Sequence, residues 1–164
     1  MDLSKIKLVA TDCDGVLTDG GMYYLESGDE FKKFNVLDGV GFLQLHEAGI
    51  KTAIITTSIN SLIERRANKL HVDDLIMGEA DKLKSLINLC NKYGFSLLDT
   101  VYLGDDINDL PAIRASGIGC VPGNALEYVK LEADYITKRN GGDGCFREIS
   151  DMIVACMNNN QSLK

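Results

Sequence analysis

Apolar positions along the chain alternate between runs with the period of a strand and runs with the period of a helix. Ile6 to Thr11 is a compact strand, and Thr52 to Ile55, Leu75 to Met77, Val101 to Leu103, Ile118 to Val121 and Tyr135-Ile136 repeat the pattern. Between them lie helical segments. Gly39 to Ala48 is stopped by Gly49, and Ser61-x-x-Glu64 has the spacing of a capping box opening a helix to about Leu70. A helix from about Asp81 carries Leu83, Leu86, Ile87, Leu89 and Cys90 on one face and ends at Gly94. Pro111 suits the first turn of the next helix, Ala125 to Lys130 reads as a short one, and Phe146 to Met157 as the last. Met22 to Leu25 and Phe31 to Phe34 flank Glu26-Ser27-Gly28-Asp29, which predicts a β-hairpin over about residues 21–35.

Strands alternating with helices at this spacing predict an α/β fold with a doubly wound parallel sheet, helices on both faces and the hairpin as an insertion. No linker, repeat or low-complexity stretch divides the chain, so residues 1–157 are expected to form a single domain. Gly141 to Gly144 reads as flexible, and 158–164 as a frayed, disordered tail.

Charge and cysteine usage narrow the function. The chain has 24 acidic against 17 basic side chains, a formal charge of −7, with no basic stripe. Nucleic acid is therefore not an expected partner. No run approaches the ~20 apolar residues of a membrane span, and Met1 to Lys5 leads into a strand rather than a signal sequence. A cytoplasmic location is expected. The five cysteines form no CxxC pair and read as small core residues, and His46 and His71 belong to no metal-binding pattern.

In doubly wound sheets, ligands bind at the carboxyl ends of the strands. Those ends here carry Thr11-Asp12-Cys13-Asp14-Gly15, Thr56-Thr57-Ser58 and Gly104-Asp105-Asp106-Ile107-Asn108-Asp109, with Lys82 opening the helix after the third strand. The fold would gather Asp12, Asp14, Asp105, Asp109, Thr56 and Lys82 around one pocket. Clustered carboxylates repel one another and require a cation, and an all-oxygen ligand set favours Mg²⁺. Such an ion would also draw an anionic substrate to an acidic protein, with Lys82 and Thr56 donating to phosphoryl oxygens. Singly, each motif has a plainer account: a solvated turn, a helix cap (Asp106 or Asp109 in particular), a surface lysine. Together, in this order and always at strand ends, they favour phosphoryl chemistry.

Asp12-x-Asp14-Gly15-Val16-Leu17-Thr18-Asp19-Gly20, Thr56, Lys82 and Gly104-Asp105-Asp106-x-x-Asp109 resemble the ordered motifs of haloacid dehalogenase-type phosphatases over almost the whole chain. The resemblance implies that Asp12 attacks phosphorus and forms an aspartyl phosphate, and that Asp14 protonates the leaving alcohol and then activates water. It also implies Mg²⁺ on the Asp12 carboxylate, the Asp14 carbonyl and the Asp105 carboxylate, with Asp109 supporting Lys82 or the metal's waters. The gaps between motifs leave no room for a cap domain. Among capless members, Asp19-Gly20-Gly21, the aromatic hairpin, Phe34-Asn35-Val36-x-Asp38-Gly39 and Gly141-Gly142-x-Gly144-x-x-Arg147-Glu148 are similar to the 3-deoxy-2-ulosonate phosphate phosphatases.

That subgroup implies a sugar-acid phosphate substrate, 3-deoxy-D-manno-octulosonate (KDO) 8-phosphate first and a nine-carbon 9-phosphate as the alternative. It also implies a homotetramer in which hairpins pack together around exposed Tyr23, Tyr24, Phe31 and Phe34. Arg66 and Lys69, and Arg147 from a neighbouring subunit, are candidates for the substrate carboxylate. Thr57-Ser58 and Leu37 depart from the subgroup's pattern, which has Gly-Arg or Gly-Glu after the threonine and Arg before the Asp-Gly pair. Two other classes remain open: a phospho-receiver module, whose chain order differs, and a non-catalytic oligomerisation module, against which the complete motif set speaks.

Overall fold

Four consecutive buried residues, Leu8, Val9, Ala10 and Thr11, form β1. A strand buried on both faces must lie inside a sheet covered on both sides. In the computed structural model, which describes residues 2–161, β1 pairs in parallel with β4 (Lys51–Thr56) and β6 (Thr100–Leu103). β5 (Asp74–Met77) extends the sheet beyond β4, and β7 (Ile118–Val121) and β8 (Tyr135–Ile136) extend it beyond β6. The resulting six-stranded order is β5-β4-β1-β6-β7-β8. The chain builds outward one way from β1 and then returns to build outward the other way. The switch point therefore falls at the carboxyl end of β1, between those of β4 and β6.

The two faces carry separate apolar cores. Val9, Ile54, Val101 and Leu103 pack with Phe42 and Leu45 of α1 (Val36–Glu47), Ile63 of α2 (Ser61–Lys69), and Phe146, Ile149 and Ile153 of α6 (Cys145–Gln161). Leu8, Ala10, Ala53, Ile55 and Tyr102 pack with Leu86 and Leu89 of α3 (Lys82–Tyr93), Ile113 of α4 (Leu110–Ala115) and Val129 of α5 (Glu127–Lys130). The alternation within β1 sends Val9 to one core and Leu8 and Ala10 to the other. Phe42 and Phe146 stack with ring centroids 4.1 Å apart, joining α1 to α6. No helix among the described residues is long and apolar enough to cross a membrane.

Several local expectations are corrected. The α2 cap is Asn60 rather than Ser61, its side chain accepting the Leu62 N–H. α1 starts at Val36, not Gly39, because Asn35 caps it by accepting the Leu37 N–H. α6 runs past Met157 to Gln161, so the expected tail is helical at its start; residues 162–164 lie outside the described residues. Gly141 and Gly142 are buried in a packed turn rather than flexible. A Cβ on Gly141 would fall 1.8 Å from the Gly15 carbonyl oxygen, and one on Gly142 would fall 2.4 Å from the Asp19 nitrogen. Only glycine lets this turn close against the loop after β1. Four of the cysteines are buried as expected and Cys156 is half-buried.

The hairpin is shorter than the sequence pattern predicts, with β2 (Tyr23–Tyr24) paired to β3 (Glu30–Phe31). It is tied to the loop after β1. Tyr23 Oη donates to Asp19 at 2.6 Å, and Thr18 bridges Phe34. Tyr24 and Phe31 are exposed as expected. Tyr23 and Phe34 are half-buried, because Tyr23 stacks on Phe31 and Arg66 lies over the Phe34 ring.

Candidate active site

The backbone of β1 continues its pairing one residue past the strand, where the Asp12 N–H donates to the Leu103 carbonyl at 2.9 Å. This seats Asp12 at the switch point, almost wholly buried. Its Oδ2 lies 3.0 Å from Lys82 Nζ, and its Oδ1 is buried without a hydrogen-bond partner among the described residues. Burial first, then repulsion from Asp109, pushes the Asp12 carboxyl up to about 7 against the pull of Lys82. Burial and then Asp12 itself push the Asp105 carboxyl up to about 7 as well. Two desolvated carboxylates that ionise reluctantly, one with an orphaned oxygen, fit a divalent cation bound between them.

Carboxylate oxygens of Asp12, Asp105 and Asp109 lie within 4.8 Å of one another. Asp109, however, has no oxygen to spare. Its Oδ1 accepts from Lys82 Nζ at 2.7 Å and from Tyr102 Oη at 2.8 Å, and its Oδ2 from the N–H groups of Asp105 and Asp106 at 3.1 and 3.2 Å. It therefore holds Lys82 and the Asp105 loop in place, which leaves Asp12 and Asp105 as the members of the trio that could hold a cation. Asp106 caps the short turn that follows, which is the plainer role foreseen for one of this pair. Burial opposes the Lys82 charge, but Asp12 and Asp109 outweigh it and hold the ammonium protonated.

Asp14 has one oxygen accepting from Lys32 Nζ at 2.7 Å and Thr18 Oγ1 at 3.1 Å, and the other from Ser58 Oγ at 2.8 Å. Burial would raise this carboxyl, but the hydrogen bonds from Lys32 and Ser58 prevail and hold it below the ordinary carboxylate range. Thr18 also accepts the N–H groups of Gly15 and Gly20, both at 3.3 Å, which closes the loop on itself. Gly15 has φ +86°, and a Cβ there would sit 2.0 Å from Asp105 Oδ2. Its lack of a side chain is what lets the Asp12 and Asp105 loops meet. Thr56 is buried at the end of β4, and its Oγ1 accepts the Ser58 N–H at 3.2 Å, leaving the hydroxyl proton for a ligand.

The model for haloacid dehalogenase-like hydrolases matches residues 29–149. The chain belongs to that family. It is 38% identical over 152 residues to the 3-deoxy-D-manno-octulosonate 8-phosphate phosphatase of Haemophilus influenzae, covering 93% of this chain and 84% of that protein. It is 35% identical over 150 residues to the phosphatase of the same name from Escherichia coli K12, covering 92% and 80%. Among solved structures, that of the Moraxella catarrhalis 3-deoxy-D-manno-octulosonate 8-phosphate phosphatase, in complex with magnesium ion, phosphate ion and KDO, superposes with a TM-score of 0.93 at 40% identity. The match covers 99% of this chain and 93% of that one. The α/β sheet of this haloacid dehalogenase-like hydrolase is thus shared with solved relatives.

Asp12, Asp14, Thr56, Lys82, Asp105 and Asp109 converge in this haloacid dehalogenase-like hydrolase as the sequence predicts. The remaining candidates separate. Arg66 and Lys69 line a groove of about 350 Å³ beneath the hairpin, with Phe31, Lys32 and Phe34. Arg66 is held there by the Asn35 carbonyl at 2.8 Å. Arg147 is not brought to this pocket within the chain: its Nε pairs with Asp151 at 2.7 Å one turn along α6. Lys32, Ser58, Thr18 and Tyr102 contact the site residues, and the sequence reading assigned none of them a role there. Thr18 lies inside the first motif, and Ser58 lies at the end of the second strand, where it departs from the subgroup's pattern. Lys32 and Tyr102 read as ordinary hairpin and strand residues, whose long-range partners no local pattern reveals.

Proposed function

We propose that this chain is a magnesium-dependent phosphomonoesterase that removes the terminal phosphate of KDO 8-phosphate, in the cytoplasm and as a homotetramer. The observation that carries the reading is Asp12: a buried carboxylate with one oxygen on Lys82, the other without a partner, and Asp14 close by on the same loop. Asp12 attacks phosphorus as its bond to the sugar oxygen breaks. Asp14, which Lys32 and Ser58 hold ionised until the negative charge of the bound phosphate favours a proton on it, gives that oxygen the proton. A water then attacks the aspartyl phosphate, Asp14 takes a proton from it, and Asp12 is released with inorganic phosphate.

Lys82 and the Thr56 hydroxyl donate to the phosphoryl oxygens, where charge builds during transfer. Asp12 and Asp105, with the Asp14 carbonyl, would hold Mg²⁺, which offsets the combined negative charge of carboxylates and phosphate. Asp109 and Tyr102 keep Lys82 aimed at Asp12. The other end of the substrate carries a carboxylate, and the groove beside the hairpin, with Arg65, Arg66 and Lys69 on its wall, supplies the cations to meet it. The phosphatase names of the relatives favour the eight-carbon acid over the nine-carbon alternative. Exposed Met22, Tyr24, Leu25 and Phe31 on the hairpin give the tetramer an apolar contact surface, where Arg147 of a neighbour could add to the site. Asp12→Asn tests the mechanism: phosphate release is expected to fall by at least about 10³-fold with the fold intact. Retained turnover would remove Asp12 from the role of nucleophile.

A further inference from the structure

Lys32 and Lys33 are neighbours on the returning arm of the hairpin, yet their side chains have opposite environments. The Lys33 side chain is 61% exposed, whereas that of Lys32 is 5% exposed and points into the site. Its ammonium lies 2.7 Å from Asp14 Oδ1 and 3.7 Å from Glu30. The hairpin that presents it is fixed to the same loop as Asp14, through Tyr23 on Asp19 and the bridge from Thr18 to Phe34. Lys32 therefore meets Asp14 from an anchored arm. Asp14, Lys32 and Ser58 also line one open cleft of about 250 Å³, which gives Asp14 access to solvent and to a ligand.

The donors on the two Asp14 oxygens differ in kind. Oδ1 accepts from the Lys32 ammonium and the Thr18 hydroxyl. An ammonium can only donate, so this oxygen is not the one that carries a proton. Among the described residues, Oδ2 accepts from the Ser58 hydroxyl alone. A hydroxyl donates to a carboxylate and, after rotation, accepts from a carboxylic acid, so it suits both states of Oδ2. We propose that Lys32 is a positioning residue for the reaction: with Thr18 it holds Asp14 Oδ1 and thereby directs Oδ2 to exchange the proton with the ester oxygen. The proton leaves Oδ2 as the phosphorus–oxygen bond breaks and ends on the alcohol. In the second step a proton from water returns to the same oxygen.

This inference rests on the phosphatase reading and the acid–base role of Asp14. Its test is the dependence of kcat/KM on the leaving group in a series of aryl phosphates from phenyl to 4-nitrophenyl phosphate, with Mg²⁺ present. kcat/KM reports the steps through departure of the phenol, and nitrophenolate leaves without a proton. Lys32→Met is expected to steepen this dependence, lowering phenyl phosphate turnover by about 10²-fold and that of 4-nitrophenyl phosphate by less than about 10-fold. Lys32→Arg, which keeps the charged donor, is expected to restore most of the shallow slope. Because the slope is internal to each preparation, a partly folded sample does not change it, and Lys32→Ala carries the same comparison if Lys32→Met does not accumulate. Equal losses across the series, or no loss, would overturn the positioning role. A wild-type protein inactive on every ester would instead overturn the phosphatase reading beneath it.

Discussion

Asp38 is a charge placed where the fold should resist it. It lies in the first turn of α1 and is 2% exposed. One oxygen accepts the Arg147 N–H at 3.0 Å on the first turn of α6, and the other is buried without a partner among the described residues. Burial is the main influence and raises its carboxyl to about 6, against the opposing effect of the Arg147 N–H and the Arg66 charge. Between its unfolded value of 3.8 and about 6, the folded chain holds a proton that the unfolded chain has lost. The linked stability is therefore present at low pH and disappears as pH rises through 6. At 1.36 kcal/mol per pKa unit the full loss is about 3 kcal/mol, of which about 1 kcal/mol has accrued by pH 4.5. Asp38→Asn keeps an acceptor for the Arg147 N–H and carries no charge. Its stability relative to wild type should improve by about 2 kcal/mol between pH 4.5 and pH 7.5, whatever constant cost its amide adds. Urea denaturation of both proteins with EDTA at the two pH values measures this. Parallel stabilities, or a variant that loses ground as pH rises, would refute a protonated Asp38 at low pH.

Two further outcomes follow from the loop geometry. Gly15→Ala combines a left-handed residue with a Cβ driven into Asp105, so it should lower phosphate release by more than about 10²-fold and abolish stabilisation by Mg²⁺. Gly28→Ala in the hairpin turn, at a similar φ of +89° but with open space around the Cβ, should cost only about 1 kcal/mol and leave activity intact. An active Gly15→Ala protein would show that the Asp105 loop need not approach so closely. Mg²⁺ at about 100 times its Kd should raise the Tm at pH 8 by roughly 5–10 °C. The shift should shrink strongly at pH 5.5, where Asp12 and Asp105, both raised to about 7 without a cation, hold protons that compete with the ion. Equal shifts at both pH values would contradict a site built on those two carboxylates.

The sheet and the converging strand ends were legible because they depend on local signals: apolar period, glycine stops, and acidic residues placed just after strands. Asp12, Thr56 and Asp105 meet because a parallel sheet brings its carboxyl ends to one rim, a rule that needs no knowledge of side-chain packing. Helix starts were less legible. Asn35 and Asn60 took the caps because each precedes its helix in extended backbone, whereas Ser61 already lies inside α2. The Gly141-Gly142 turn reads as flexible in the sequence but is tightly packed, since composition cannot distinguish a glycine needed for close approach from one that is free to move. Lys32 was invisible for a related reason. Its partner Asp14 is 18 residues away, and only the fixed angle of the hairpin brings the two together. Tyr102 filled a core position in a strand, and nothing local marked its hydroxyl as a donor to Asp109.

The most direct test of the central claim is phosphate release with Mg²⁺ from KDO 8-phosphate, compared with a nine-carbon sugar-acid 9-phosphate and simple hexose phosphates. The account predicts Mg²⁺-dependent release that is fastest for KDO 8-phosphate and absent in EDTA. Equal, slow release from every ester would contradict the sugar-acid assignment, and no Mg²⁺-dependent release from any of them would contradict the phosphatase itself.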